Sequence, residues 1–379
     1  MAMVINEEQQ MLKESAQGFL AEFAPVSELR KLRDEGSATG YNADLWRQMV
    51  DMGWAAILVP EAYGGLDFGH VGMGQIIEQT GRTLTASPLF STAIIGASLI
   101  NLAASDAQKS ELLTAIAGGE LTTALAVDET IHHAPTQISM TAVKQGDSYR
   151  LNGEKRFVID GHSADKLIVA VRTSGNLGDT TGISLLILDR NSAGVEVERT
   201  EMVDSRNAAI VRFSDVSVSA DNLLGEEGQG FSALSATLDI GNAYLAAEML
   251  GIAQESFDRT LQYLKERKQF GVLIGSFQAL QHRAAHWWSE VELCKSVVLK
   301  VLQSLDQGDP RSPAMASIAK AKLCEVVELA TNEAIQMHGG IGMTDEYEIG
   351  FFIKRARPAA SLYGDYNYHG DRFALLSGY

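Results

Sequence analysis

The chain has 379 residues, of which 46% are hydrophobic and 21% charged, and its net charge at pH 7 is −17. That composition supports a sizeable globular core, and the length suggests two or three domains. The acidic balance argues against a nucleic-acid-binding protein, because phosphate contacts need clustered Lys and Arg.

Residues 1–120 read as a helical domain. The N-terminal "MAMVINEEQQMLKESAQGFL" lacks the apolar core of a signal peptide, and no stretch approaches the about 18 unbroken apolar residues of a membrane span. A protein of the cytoplasm is expected. "NEEQQMLKESAQGFLAEF" has a capping Asn6, acids in its first turn and a stop before Pro25. "NADLWRQMVDMG" ends at Gly53, a C-cap, and "VPEAYGGLDFG" is a turn-rich loop. Helical segments continue through "AIIGASLINLAA" and "DAQKSELLTAIAGG".

Over residues 121–225 the period changes. "SYRLNGEKRFVIDG" carries an Asn-Gly pair between two β-prone runs, which predicts a hairpin turn there. "DKLIVAVRT", "GISLLILDR", "GVEVERTEM" and "AAIVRFSDVSV" are further strands of a compact antiparallel sheet domain. Residues 226–379 return to helix. Leu245, Met249, Ile252, Phe257, Leu261 and Leu264 form one apolar stripe, and long helices are predicted over 277–307 and 313–338. Alternating βαβ is absent, which disfavours a Rossmann sheet. Cys294 and Cys324 form no CxxC pair, which argues against a disulfide framework and structural zinc and fits a reducing compartment.

Two segments hold residue types suited to a dinucleotide. In "KERKQFGVLIGSFQALQ", Arg267 suits a phosphate, Phe270 offers a flat apolar face, Gly271 permits a sharp turn and Gln278 adds an amide. In "AIQMHGGIGMTDEYEIG", Gln336 is followed by Gly339 and Gly340. One glycine there would serve as a helix C-cap, whereas an adjacent pair suggests close approach by another backbone or a ligand.

At this point the sequence resembles the acyl-CoA dehydrogenase family of flavoproteins across essentially its whole length. The resemblance rests on "PEAYGG" at 60–65, "LNGEKRFVIDG" at 151–161, "LLGEEGQGF" at 223–231, "ERKQFG" at 266–271 and "AIQMHGGIGMTDEY" at 334–347. It implies an α+β fold with an N-terminal helical domain, a central antiparallel β domain and a C-terminal four-helix bundle. It further implies FAD as cofactor, an acyl-CoA substrate, an electron-transfer flavoprotein as acceptor and a tetramer built as a dimer of dimers. By resemblance, Arg267, Phe270 and Gln278 of one subunit hold the adenine dinucleotide, and Gln336, Gly339 and Gly340 of its neighbour close over it.

The sequence departs from the family at the reacting end. The family's proton acceptor is a Glu in Y-E-G-T; here "LYGDY" places Tyr363 at that Glu, Gly364 at the Gly and Asp365 at the Thr. A variant group carries its Glu on the first C-terminal helix, where this chain has Gly241. Three explanations stand side by side. Asp365 or Asp239 substitutes as the carboxylate, Tyr363 exchanges the proton, or the Glu comes from an unlike subunit, as in bacterial heterotetramers acting on steroid side-chain thioesters. Of these a phenol, with a pKa near 10, is the poorest base.

In the β domain Val127 replaces a flavin-contacting Thr, and His133 a Ser. Phe157, Val158 and Ile159 replace the W-I-T that lies against the flavin. Phe157 retains a stacking face, while Val158 and Ile159 have no side-chain group to hydrogen-bond the flavin. His132 and His133 read as loop residues rather than metal ligands, because no third ligand is close in sequence. The leading expectation is an FAD-dependent dehydrogenase forming an α,β-unsaturated acyl-CoA, with Gly241 leaving room for a bulky acyl group. The alternatives are a related flavoenzyme that needs no α-proton base and a non-catalytic subunit of a heteromer.

Overall fold

The computed structural model describes residues 3–379; Met1 and Ala2, which open the stretch read for a signal peptide, lie outside the described residues. Helices α1 (Glu7–Phe23), α2 (Val26–Asp34), α3 (Ala43–Asp51) and α4 (His70–Thr83) come first. A π-helical stretch, Leu89–Gly96, runs into α5 (Ala97–Ala103), and α6 (Asp106–Ala117) follows. The strands are β1 (Thr123–Ala126), β2 (Thr141–Gln145), β3 (Ser148–Ile159), β4 (Lys166–Arg172), β5 (Ile183–Asp189), β6 (Val195–Glu201), β7 (Asn207–Ser219) and β8 (Leu223–Leu224). After them come α7 (Phe231–Glu266), a hairpin of β9 (Lys268–Gln269) and β10 (Val272–Leu273), then α8 (Gln278–Asp306), α9 (Ser312–His338), α10 (Ile349–Ser361) and α11 (Tyr366–Leu376). The expected order of helical, β and helical parts is present, and no helix among the described residues is long and apolar enough to cross a membrane. By packing, the chain divides into two compact units: Met1–Lys31, His70–Thr85 and Asn242–Tyr379 form one, Leu32–Gly69 and Ala86–Gly241 the other.

The second unit is built on one sheet in the order β6-β7-β3-β2-β4-β5-β8, with β1 beside β4. Pairing is antiparallel except for β1 with β4 and a single β2–β4 contact. Its core is made by side chains such as Leu151, Leu167, Val169, Leu186 and Val211. The Asn-Gly hairpin expectation is corrected here. Asn152 and Gly153 lie inside β3, at a register shift against β7, and the turn joining β2 to β3 is Gly146-Asp147. Tertiary contacts outweigh the local turn signal. A Cβ on Gly153 would come within 2.7 Å of the Met140 side chain, and Asn152 Oδ1 accepts the Asp215 amide at 2.9 Å. The pair therefore forms a bulge, which leaves the strand continuous.

The first unit is helical. α1 packs on α4, α4 on α8, α8 on α9, and α9 on both α10 and α11. Asn6 caps α1 as expected, in a reciprocal box with Gln9. α7 departs from the single apolar stripe: every residue from Asn242 to Ala253 is buried. Among the charged groups buried along it, Glu248 is paired: Arg355 of α10 donates to it at 3.2 Å, with both side chains 5% exposed or less. The α4–α7 crossing brings backbone onto backbone. A Cβ on Gly81 would stand 2.1 Å from the Glu248 carbonyl oxygen, and one on Gly251 1.9 Å from that of Glu78.

Two stability outcomes are expected. Gly251→Ala overpacks the crossing and should destabilise by about 1–3 kcal/mol in denaturant melts. Glu248→Ala leaves Arg355 buried without that carboxylate and should destabilise by about 3–5 kcal/mol in the same assay.

Candidate active site

α7 ends in a tight hairpin whose turn is Phe270-Gly271, with φ of 53° and 81°. Two successive positive φ values match the twist of a two-residue hairpin, and a bulky residue adopts the first of them only at a cost. Phe270 is 92% exposed at the tip, with Phe277 beside it edge-on at 6.3 Å. Arg267 and Gln278 flank the hairpin on the surface. Beneath, Leu264 and Ile274 pack with Met337 of α9, and Tyr263 stacks on His338 at 4.4 Å. The hairpin base and the end of α9 therefore share one small core within a single chain.

α9 stops at His338, as the glycines predict, and Gly339 takes a φ of 65°. A Cβ at Gly339 or Gly340 would meet nothing within 4 Å, so this chain's packing does not require glycine at 340. Gln336 is exposed, and no side-chain partner is found for Arg267, Gln278 or Gln336 among the described residues. His338 is buried. Its Nδ1 lies 2.7 Å from the Ala334 carbonyl, whereas its Nε2 has no hydrogen-bond partner among the described residues. Burial lowers its pKa and favours the neutral ring. Uncommitted donors beside a bare glycine backbone match what a diphosphate needs. The residues present fit the dinucleotide part of FAD.

The α10–α11 turn holds the residues that sequence reasoning set at the base position. Tyr363 is 6% exposed with φ 55°, and Gly364 has φ 105°. The Tyr363 carbonyl accepts from His369 Nε2 at 3.1 Å and Asn242 Nδ2 at 3.4 Å. Asp365 is exposed and is the N-cap of α11, its Oδ1 accepting the Tyr368 amide at 2.9 Å. It lines a cavity of about 500 Å³ with Tyr366, Asn367 and Thr331. Asp239 and Gly241 are both buried on α7.

Sequence reasoning missed Lys320. It lies on the buried face of α9, one turn from Ala316 and from Cys324, and its ammonium donates to the carbonyls of Ala360, Leu362 and Gly364. Burial pulls its pKa down to about 8, with Cys324 and Asp365 acting in the opposite direction. The only signal available was a lysine at an apolar register position.

In the β unit, Val127 and Ile159 are buried, at 3% and 5% exposure, while Phe157 stands 41% exposed with φ 51° at a register shift of β3. Lys155, fully buried, ties these segments together by donating to the Val127 carbonyl and to Glu129, each at 2.8 Å. Burial pushes the Glu129 carboxyl up, but the Lys155 charge and hydrogen bonds from Lys155 and Ser139 outweigh it and leave the group below its ordinary value. His133 is a loop residue held by Asp128 at 2.9 Å, and His132 is exposed. Among the described residues no three His, Cys, Asp or Glu side chains gather as a metal site.

Models of the acyl-CoA dehydrogenase N-terminal, middle and C-terminal domains match residues 6–120, 128–216 and 228–374. Probable acyl-CoA dehydrogenase YngJ of Bacillus subtilis is 32% identical over 360 residues, 93% of each chain. Caffeyl-CoA reductase-Etf complex subunit CarC of Acetobacterium woodii is 28% identical over 92% of each. The solved butyryl-CoA dehydrogenase of Megasphaera elsdenii superposes with a TM-score of 0.91 at 26% identity, covering 99% of this chain and 100% of that one. Shared sequence and architecture along nearly the whole chain thus make it a member of the acyl-CoA dehydrogenase family, FAD-using oxidoreductases acting on CH–CH groups.

Proposed function

We propose that this chain is an FAD-dependent acyl-CoA dehydrogenase that forms an α,β-unsaturated acyl-CoA thioester. The observation that carries the reading is the set of surface donors Arg267, Gln278 and Gln336, for which no side-chain partner is found among the described residues, together with the open backbone at Gly340. Arg267, Phe270 and Gln278 of one subunit would hold the adenine dinucleotide, with Gln336, Gly339 and Gly340 of its neighbour, so a tetramer, homomeric or heteromeric, completes the site. Phe157, Ile159 and Val127 would lie against the ring system, with Phe157 as the exposed aromatic face. FAD, when bound, supplies the acceptor for the hydride from the β-carbon, and an electron-transfer flavoprotein would receive the electrons. We keep residues 1–120, 121–225 and 226–379 as the three-domain plan and place the protein in the cytoplasm. Gly241 carries no side chain, which suits a bulky or branched acyl group.

The chain's own task is to take the α-proton. Asp365 is the exposed carboxylate on the turn where the family carries its base. Among the described residues its Oδ1 alone is engaged, by the Tyr368 amide, which leaves Oδ2 to accept the proton. Tyr363 is buried beside it and, as a phenol, is the weaker acceptor at neutral pH.

A second reading, a half-site in a heteromer, is favoured by one observation. By the resemblance, the two positions at which the family carries Glu correspond here to Tyr363 and Gly241, neither of them a carboxylate. On that reading the partner subunit brings the proton acceptor.

Gly340→Ala should keep the unfolding free energy in denaturant melts within about 1 kcal/mol of the parent, because the methyl has room. The flavin-to-protein ratio measured by absorbance should nevertheless fall sharply; full flavin retention would remove the glycine pair from the site. Arg267→Ala should weaken flavin binding about ten- to a hundredfold in a titration of apoprotein, the loss of one charged hydrogen bond. Asp365→Asn keeps the helix cap, since Asn and Asp cap alike, but removes the acceptor. Acyl-CoA oxidation should slow by about 10²–10⁴-fold. An unchanged rate would assign the base elsewhere and favour the heteromer.

A further inference from the structure

The turn between α10 and α11 is held in a costly shape. Tyr363 occupies the left-handed region at φ 55°, and a Cβ on Gly364 would lie 2.3 Å from the Tyr368 ring. Something must over-determine such a backbone for it to persist. The last carbonyls of α10 have no partners within the helix and carry partial negative charge. The carbonyls of Ala360 in the last turn of α10 and of Leu362 and Gly364 just beyond it converge on Lys320 Nζ at 3.2, 2.7 and 2.7 Å, which uses all three ammonium donors. The intervening Tyr363 carbonyl points to Asn242 and His369, and Cys324 Sγ adds a contact to Ala360 at 3.4 Å. Behind, His369 and Arg372 both reach the Ser317 hydroxyl, one turn before Lys320 on α9.

We propose that Lys320 is a positioning residue for the reaction: by gripping three main-chain carbonyls it fixes the 360–364 backbone and so sets where the side chains of Tyr363 and Asp365 stand. The inference rests on the reading that this turn carries the proton acceptor. A buried methionine would fill the same volume with no charge to desolvate, so packing alone gives no reason for a lysine here. Loss of the grip displaces the turn, and a shift of about 1 Å at a reacting group costs about a hundredfold in rate.

The test compares parent and Lys320→Met as flavin-loaded oligomers, by amide hydrogen exchange over residues 358–369 without substrate and by steady-state kinetics with an acyl-CoA thioester that the parent oxidises. Exchange at the Leu362 and Gly364 amides should rise about tenfold or more. With it, kcat should fall about a hundredfold, KM should stay within about threefold and flavin content should be unchanged. Unchanged exchange overturns the proposal. So does a fall in kcat accompanied by loss of flavin and general loss of protection, which would make Lys320 a residue of bulk stability. Faster exchange at the turn with an unchanged kcat also overturns the positioning role; together with a normal rate in Asp365→Asn it locates the failure in the assignment of the base to this turn. If Lys320→Met does not fold, Lys320→Arg retains the charge but not the compact three-donor geometry, and the same outcomes apply to it.

Discussion

The helical unit depends on one steric constraint, the backbone-to-backbone contact of α4 with α7 at Gly81 and Gly251. With no side chain between them, the helices approach until the glycine carbons face the carbonyls of Glu248 and Glu78. α7 is buried on every side through Asn242–Ala253, where an unpartnered polar or charged group is costly. Glu248 finds Arg355 of α10, and Asn242, six residues earlier, finds the Tyr363 carbonyl just beyond the end of α10. The inner helix thus holds α10 and the turn after it by two polar contacts along its length.

The segments that carry the proposed site residues differ, each within its own unit, in how their polar groups are used. At the hairpin and the end of α9, Arg267, Gln278 and Gln336 have no side-chain partner among the described residues, and both Gly339 and Gly340 have open space around them, as the proposed binding role requires. At the α10–α11 turn and in the Val127–Glu129 segment, carbonyls are gripped by lysines that are themselves fully buried, Lys320 and Lys155. A surface that binds a charged group must expose donors, whereas one that fixes a reacting atom must satisfy its own backbone first.

Much of this was legible in the sequence, and the limits have physical causes. Helix periods, the Asn6 cap and the stop at Gly339 are set within a few residues, so α1, α8 and α9 fall close to where the pattern puts them. The Asn-Gly pair of β3 is equally local, yet Met140 and Asp215, distant in sequence, turn it into a bulge. The apolar stripe on α7 was real but incomplete, because burial all round needs partners that one helix does not reveal. Arg267, Phe270, Gln278 and the glycine pair stood out because their residue types are unusual where they occur. Lys320 and Lys155 did not, because a lysine among apolar residues acquires meaning only when folding brings carbonyls to it.

Asp365 caps a helix and, on the proposed reading, also receives a proton. A carboxylic acid accepts a hydrogen bond more weakly than a carboxylate does, so the Tyr368 amide would be held less firmly for as long as the proton stays. The first turn of α11 would then loosen and tighten once in each catalytic cycle, and the fraying of that helix end would report the charge on a single side chain.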